Sequence, residues 1–218
     1  MFGLFKKKLN ELENKSIENT NTQNVNTQNM GQGILNLQKN DILDLTKRNP
    51  SLNNVIVGAG WDVSRRGADI DLDLVALLLD GNGKLIKKKG LVYFGSKKSQ
   101  GIYLTGDNLT GEGDGDDERI IVTLSNLPQE CTKVIFSVVI YGAKRRRQNF
   151  GMVQNSYVRL LDADNREKEI CRFNLMENGG DNTGILFAEL YRDGSDWNFK
   201  ALGNLLQITI EDLEREYR

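Results

Sequence analysis

From about Gly33 to Leu205 the chain is written in short apolar runs separated by Gly, Asn and Asp, a pattern that predicts strands rather than helices. Val134 to Tyr141 is a nearly continuous β-branched and aromatic run, as a central strand requires, while Ile120, Val122 and Leu124 alternate with more mixed positions. Further strands are expected over 54–58, 70–79, 91–94, 156–161, 169–175, 184–191 and 197–202. The connectors Asp80-Gly81-Asn82-Gly83, Asp162-Ala163-Asp164-Asn165 and Asp193-Gly194-Ser195 carry the turn chemistry that joins antiparallel neighbours. About ten strands without a convincing internal helix predict an all-β protein, a two-sheet antiparallel β-sandwich. Thr209 followed three positions later by Asp212 resembles a capping box, so a short helix is expected within 206–218.

The first thirty residues are different. Residues 19–29 read NTNTQNVNTQN, too polar to offset chain entropy by burial, so 15–30 is expected to be a linker. Before it, Phe2, Phe5, Leu9 and Leu12 fall on one helical stripe flanked by Lys6, Lys7 and Lys8. Residues 1–14 therefore read as a basic amphipathic segment for an anionic membrane surface or a partner, or as a simple tail. The organisation expected is 1–14, linker 15–30, sandwich 31–205 and C-terminal helix or tail 206–218.

Composition narrows the chemistry. The 218 residues include 29 Lys+Arg, 30 Asp+Glu and no histidine, which excludes imidazole-based triads and the zinc-protease helix. Cys131 and Cys171 are too far apart in sequence for a C-x-x-C pair and are expected to be buried small hydrophobes, although thiolates could in principle meet an oxyanion. A metal would be held by oxygen, which favours Ca²⁺ or Mg²⁺. No apolar stretch approaches the ~18 residues of a membrane span, and no signal-peptide core is evident, so a cytoplasmic setting is expected, with peripheral contact at the inner face of the membrane through residues 1–14.

The oxygen donors are concentrated twice. In Ala68-Asp69-Ile70-Asp71-Leu72-Asp73-Leu74 an extended chain directs Asp69, Asp71 and Asp73 to one side and Ile70, Leu72 and Leu74 to the core. Residues 107–118 hold six acids, three glycines and no base. Such a loop suits the 6–8 oxygens and loose geometry of calcium better than the tight octahedron of magnesium, although a solvated acidic loop needs no metal at all. Neither segment fits an EF-hand: Leu74 and Asp80 stand where that loop wants Gly and Glu, and the second segment lacks the acids and glycine at their places. The run Lys144-Arg145-Arg146-Arg147 reads as a solvated hairpin end; it lacks interleaved aromatics, so nucleic acid is not expected as a partner.

The strings Val57-Gly58-Ala59-Gly60-Trp61-Asp62, Ala68 to Asp73, Thr105-Gly106-Asp107-Asn108-Leu109-Thr110-Gly111-Glu112-Gly113-Asp114-Gly115-Asp116-Asp117-Glu118, Gln148-Asn149-Phe150-Gly151-Met152-Val153 and Phe187-Ala188-Glu189-Leu190-Tyr191-Arg192 together resemble the TerD family of tellurium-resistance and stress proteins. The resemblance covers roughly 31–204. It implies a β-sandwich with acidic calcium-binding loops, a binding or scaffold role in a bacterial stress response, protein partners in that response, and no established enzymatic activity. Carried onto this chain, the implied metal residues are Asp69, Asp71, Asp73, Asp107, Asn108, Asp114, Asp116, Asp117 and Glu118. The alternatives are a Mg²⁺-dependent phosphoesterase, in which the same acids would activate water, and a calcium-responsive membrane-surface adaptor.

Overall fold

The computed structural model describes residues 34–63, 70–87, 89–105, 115–174 and 179–218. The segment 1–14 and the expected linker 15–30 lie outside them. In chain order the strands are β1 (Leu35–Asn36), β2 (Ile42–Asp44), β3 (Asn54–Val63), β4 (Leu72–Leu79), β5 (Leu91–Val92), β6 (Lys98–Ser99), β7 (Ile102–Thr105), β8 (Glu118–Thr123), β9 (Lys133–Ile140), β10 (Val153–Asp162), β11 (Lys168–Asn174), β12 (Gly184–Asp193) and β13 (Asp196–Leu206). Among the described residues two α-helices follow the same count: the single turn α1 (Ala143–Arg146) and α2 (Ile210–Tyr217).

The strands form a seven-stranded sheet in the order β1-β11-β10-β3-β8-β7-β6 and a six-stranded sheet in the order β2-β13-β12-β9-β4-β5. Pairing is antiparallel except for β1 with β11, which run parallel. The expected sandwich is thus present, with four short strands (β1, β2, β6 and β7) that periodicity did not reveal. The expectation of no internal helix is corrected by α1, whose four residues are too short to show a 3.6-residue period.

The main core lies between the sheets. Val55, Val57, Ile120, Val122, Val158 and Leu160 from one sheet meet Leu72, Leu74, Val134, Phe136, Phe187 and Phe199 from the other. The expected alternation along the first acidic segment holds, because Ile70, Leu72 and Leu74 all enter this core. Val75, Leu77 and Leu79 face the opposite way, into a second cluster with Ile135, Val139, Leu186 and Ile208. That cluster is closed by α2, which contributes Leu213 and Tyr217. β4 is therefore buried on both faces along its whole length. The helix starts where the sequence indicates: Thr209 Oγ1 accepts from Asp212 N at 3.2 Å and the Asp212 carboxylate accepts from Thr209 N at 3.1 Å. Its last turn is tied to the sheet by Leu85 N donating to the Tyr217 carbonyl at 2.7 Å.

Candidate functional site

Asp69, Asp107, Asn108 and Asp114 lie outside the described residues. The other five predicted metal residues are described, and the fold sends them to different places. Asp73 is 3% exposed and stands on the α2 side of β4, where it lines a cavity of about 400 Å³ with Tyr93, Phe94, Tyr141 and Glu211. Asp71, 7% exposed, precedes the strand; its carbonyl accepts from Tyr141 N at 2.8 Å and its carboxylate lies 3.8 Å from Arg146. Glu118 begins β8 on the same face as Ile120 and Val122, so it points between the sheets and is 1% exposed. There Leu74 N donates to Glu118 Oε2, and a carboxylate of the seven-stranded sheet is fixed on β4 of the other sheet. Three acids are thus buried around one end of β4, Asp71 just before the strand, Asp73 on its α2 side and Glu118 against its inter-sheet side. A buried carboxylate has lost the water that stabilises its charge, so such a group needs cations or hydrogen-bond donors around it.

Asp117 and Asp116 turn elsewhere. Asp117 N donates to the Ala59 carbonyl and its Oδ2 accepts from Trp61 N, both at 2.9 Å, which anchors the start of β8 on β3. Asp116 folds onto the outer face of the seven-stranded sheet, directly over Gly58. Its side chain is 2% exposed; Arg159 Nε donates to Oδ1 at 2.6 Å and Arg119 Nε lies 3.4 Å from Oδ2. Arg119, Gly58, Arg159 and Arg172 are successive register partners across β8, β3, β10 and β11, so the guanidiniums form a row on this face. Glu169 accepts from Arg159 and Arg172, each at 3.0 Å, and Glu167 from Arg119 at 2.6 Å. Burial alone would raise the Glu169 pKa, but the two arginine hydrogen bonds outweigh it and hold the carboxyl below its ordinary value. Tyr157 completes the group: its Oη donates to the Gly115 carbonyl at 2.7 Å and its ring lies 4.3 Å from the Arg172 guanidinium. Burial, followed by the charge of Asp116, pushes the Tyr157 phenol up to about 12.

Among the described residues, no group of three or more acids and thiols is gathered as a ready metal cluster. Asp73 on the α2 side of β4 and Glu118 on its inter-sheet side, with Asp71 just before the strand, offer the all-oxygen chemistry that suits a hard cation without forming one cluster; at Asp116, Oδ1 accepts from Arg159, while Oδ2 is buried without a hydrogen-bond partner among the described residues, with Arg119 Nε 3.4 Å away. Tyr157, Arg159 and Gly58 were missed as site residues. Their signal was the alternation of Tyr157 and Arg159 with Val158 and Leu160, which marks an outward polar row without naming its partner.

Both cysteines are buried and free of disulfides, as expected. Burial pushes the Cys131 thiol up to about 11 and that of Cys171 higher still, so neither is a ready thiolate. Lys144 to Arg147 are exposed on α1 and just beyond it, and among the described residues no helix is long and apolar enough to cross a membrane.

A family model described as the TerD domain matches residues 34–217, which extends the resemblance through α2. The stress response protein SCP2 of Bacillus subtilis is 41% identical over 198 residues, spanning 84% of this chain and 98% of that protein. The tellurium resistance protein TerD of Serratia marcescens is 42% identical over 172 residues, spanning 78% and 89%. A solved structure of a TerD homologue from Streptomyces coelicolor A3(2) superposes with a TM-score of 0.58 at 22% identity over 72% of this chain and 92% of that one, a likeness of fold. The names of the relatives denote resistance and stress response rather than a reaction. With a match over most of its length, the chain belongs to the TerD family.

Proposed function

We propose that this protein binds calcium and serves as a binding or scaffold module for protein partners in a bacterial cytoplasmic stress response of the tellurium-resistance type. The observation that carries the reading is the set of three acids, each more than nine-tenths buried, at one end of β4. In a chain with no histidine, carboxylate and carbonyl oxygens are the donors left for a metal, and they suit calcium. Asp71, Asp73, Asp117 and Glu118 would contribute to calcium sites together with Asp69, Asp107, Asn108 and Asp114, the last four outside the described residues; Asp73 and Glu118, on opposite faces of β4, would serve different ions. Bound calcium would supply charge neutralisation that lets these acids stay ionised near the core. Ions that bind only the folded chain stabilise it by mass action, so saturating Ca²⁺ at about 100 times its dissociation constant adds about 2.7 kcal/mol. Thermal unfolding in EDTA, Mg²⁺ and Ca²⁺, with calorimetric titration of Ca²⁺, tests this. The expected result is a melting temperature raised by Ca²⁺ well beyond the effect of Mg²⁺; identical curves in all three would overturn the reading.

A further inference from the structure

Asp116 sits within the acidic string Gly113-Asp114-Gly115-Asp116-Asp117-Glu118, yet its carboxylate leaves its neighbours and is buried on the opposite side of the sheet from Glu118. Its Oδ1 accepts from Arg159 at 2.6 Å, and its Oδ2, buried without a hydrogen-bond partner among the described residues, lies 3.4 Å from the charge of Arg119. The backbone just before it is fixed as well, since Tyr157 donates to the Gly115 carbonyl and Gly115 takes a φ of 108°. Room for this arrangement is cut into β3. A Cβ at Gly58 would lie 2.6 Å from Asp116 Oδ1, and one at Gly60 would lie 2.5 Å from the Tyr157 oxygen. Two glycines of Val57-Gly58-Ala59-Gly60 are thus the floor under Asp116 and Tyr157.

We propose that Asp116 is a positioning residue for the calcium site and not one of its ligands: Arg159, Arg119 and Tyr157 grip Asp116 and Gly115 on the outer face, and this grip aims Asp117 and Glu118 toward β3 and β4. The proposal rests on the calcium reading above. The grip acts by preorganisation. Asp117 and Glu118 follow Asp116 directly and each ends on a different backbone amide, Trp61 N and Leu74 N. Fixing the residue before them removes rotational freedom that metal binding would otherwise have to take away. A ligand role predicts the reverse, because a cation at Asp116 would have to compete with Arg159 for Oδ1 and be repelled by the Arg119 charge beside Oδ2.

The two roles give opposite signs for Arg159→Gln. If Asp116 positions, losing the charge-assisted hydrogen bond weakens Ca²⁺ binding by about tenfold, and Arg159→Lys recovers part of the loss. If Asp116 is a ligand, Arg159→Gln frees it and Ca²⁺ binds more tightly. Calorimetry on the full chain reads the affinity, and Tb³⁺ luminescence lifetimes in H₂O and D₂O read the number of waters on the bound ion. Asp116→Ala is expected to leave that number unchanged while lowering affinity; one additional water would overturn the proposal. Tyr157→Phe, which removes only the contact of the hydroxyl, serves if Asp116→Ala does not fold, with a loss of about fivefold expected. Unchanged Ca²⁺ affinity in both Arg159→Gln and Tyr157→Phe also overturns it. Failure of the unaltered protein to bind Ca²⁺ or Tb³⁺ would instead remove the calcium reading itself, and this inference with it.

Discussion

Gly58→Ala is the sharpest probe of the outer face. Gly58 pairs with Arg119 on one side and Arg159 on the other, and its φ is not in the left-handed region, so alanine can adopt the backbone without strain. The added methyl, however, meets the Asp116 carboxyl group inside van der Waals contact. The carboxylate must move, which costs about 1–3 kcal/mol for overpacking. Moving it also breaks the 2.6 Å hydrogen bond from Arg159, costing about 1.5–3 kcal/mol for a charged pair. Against this, alanine reduces the freedom of the unfolded chain and returns about 0.4–1 kcal/mol. The net loss is about 1.5–5.6 kcal/mol, and at about 2–4 °C per kcal/mol for a chain of this size the melting temperature should fall by about 3–22 °C. Thermal and urea unfolding in EDTA measure it without any contribution from metal. The same substitution in an Asp116→Ala background should be neutral or stabilising, since the obstacle is gone. Equal losses in both backgrounds, or no loss in the first, would refute the reasoning.

Glu118→Ala removes the acceptor for the buried Leu74 amide and should lower stability by about 1–3 kcal/mol, with faster hydrogen exchange at that amide as the local signature. Glu169 has its folded pKa depressed, so its stabilising contribution is complete above the unfolded value and is lost as pH falls through the folded one; unfolding followed across the acid range should show this loss shrink in Arg172→Gln. Both thiols are buried with raised pKa values, so a disulfide exchange reagent at neutral pH should label neither in the folded protein and both Cys131 and Cys171 in denaturant; rapid labelling of the folded chain would contradict the packing.

The parts of the fold visible in the sequence were those where a pattern repeats often enough to be read. Ile70, Leu72 and Leu74 announced a core face through alternation, and Thr209 with Asp212 announced a helix start through a two-residue code. Strands of two to four residues, such as Leu35–Asn36 and Lys98–Ser99, hold too few positions to display any period, and their pairing is decided by tertiary neighbours. The candidate site was legible only as composition. Asp116, Asp117 and Glu118 look like one cluster in the text, but their directions are set by Gly58, Trp61 and Leu74, residues 44 to 58 positions away along the chain. Acid density gives the kind of chemistry available, whereas the partner of each acid depends on strand register, which no local string encodes.

The covering of the six-stranded sheet by α2 has a consequence for how the protein is made. Val75, Leu77 and Leu79 leave the ribosome about 134–142 residues before Leu213 and Tyr217, the side chains that close over them. At about 5–20 residues per second, this greasy face of β4 waits for its cover for about 7–28 s after synthesis. During that interval the nascent chain presents a strand apolar on both sides, the kind of surface that invites aggregation or a chaperone. The helix is short, yet it ends the period of greatest exposure in the protein's life, so damage to its cap at Thr209 should be felt first in yield during expression and only afterwards in the stability of the purified molecule.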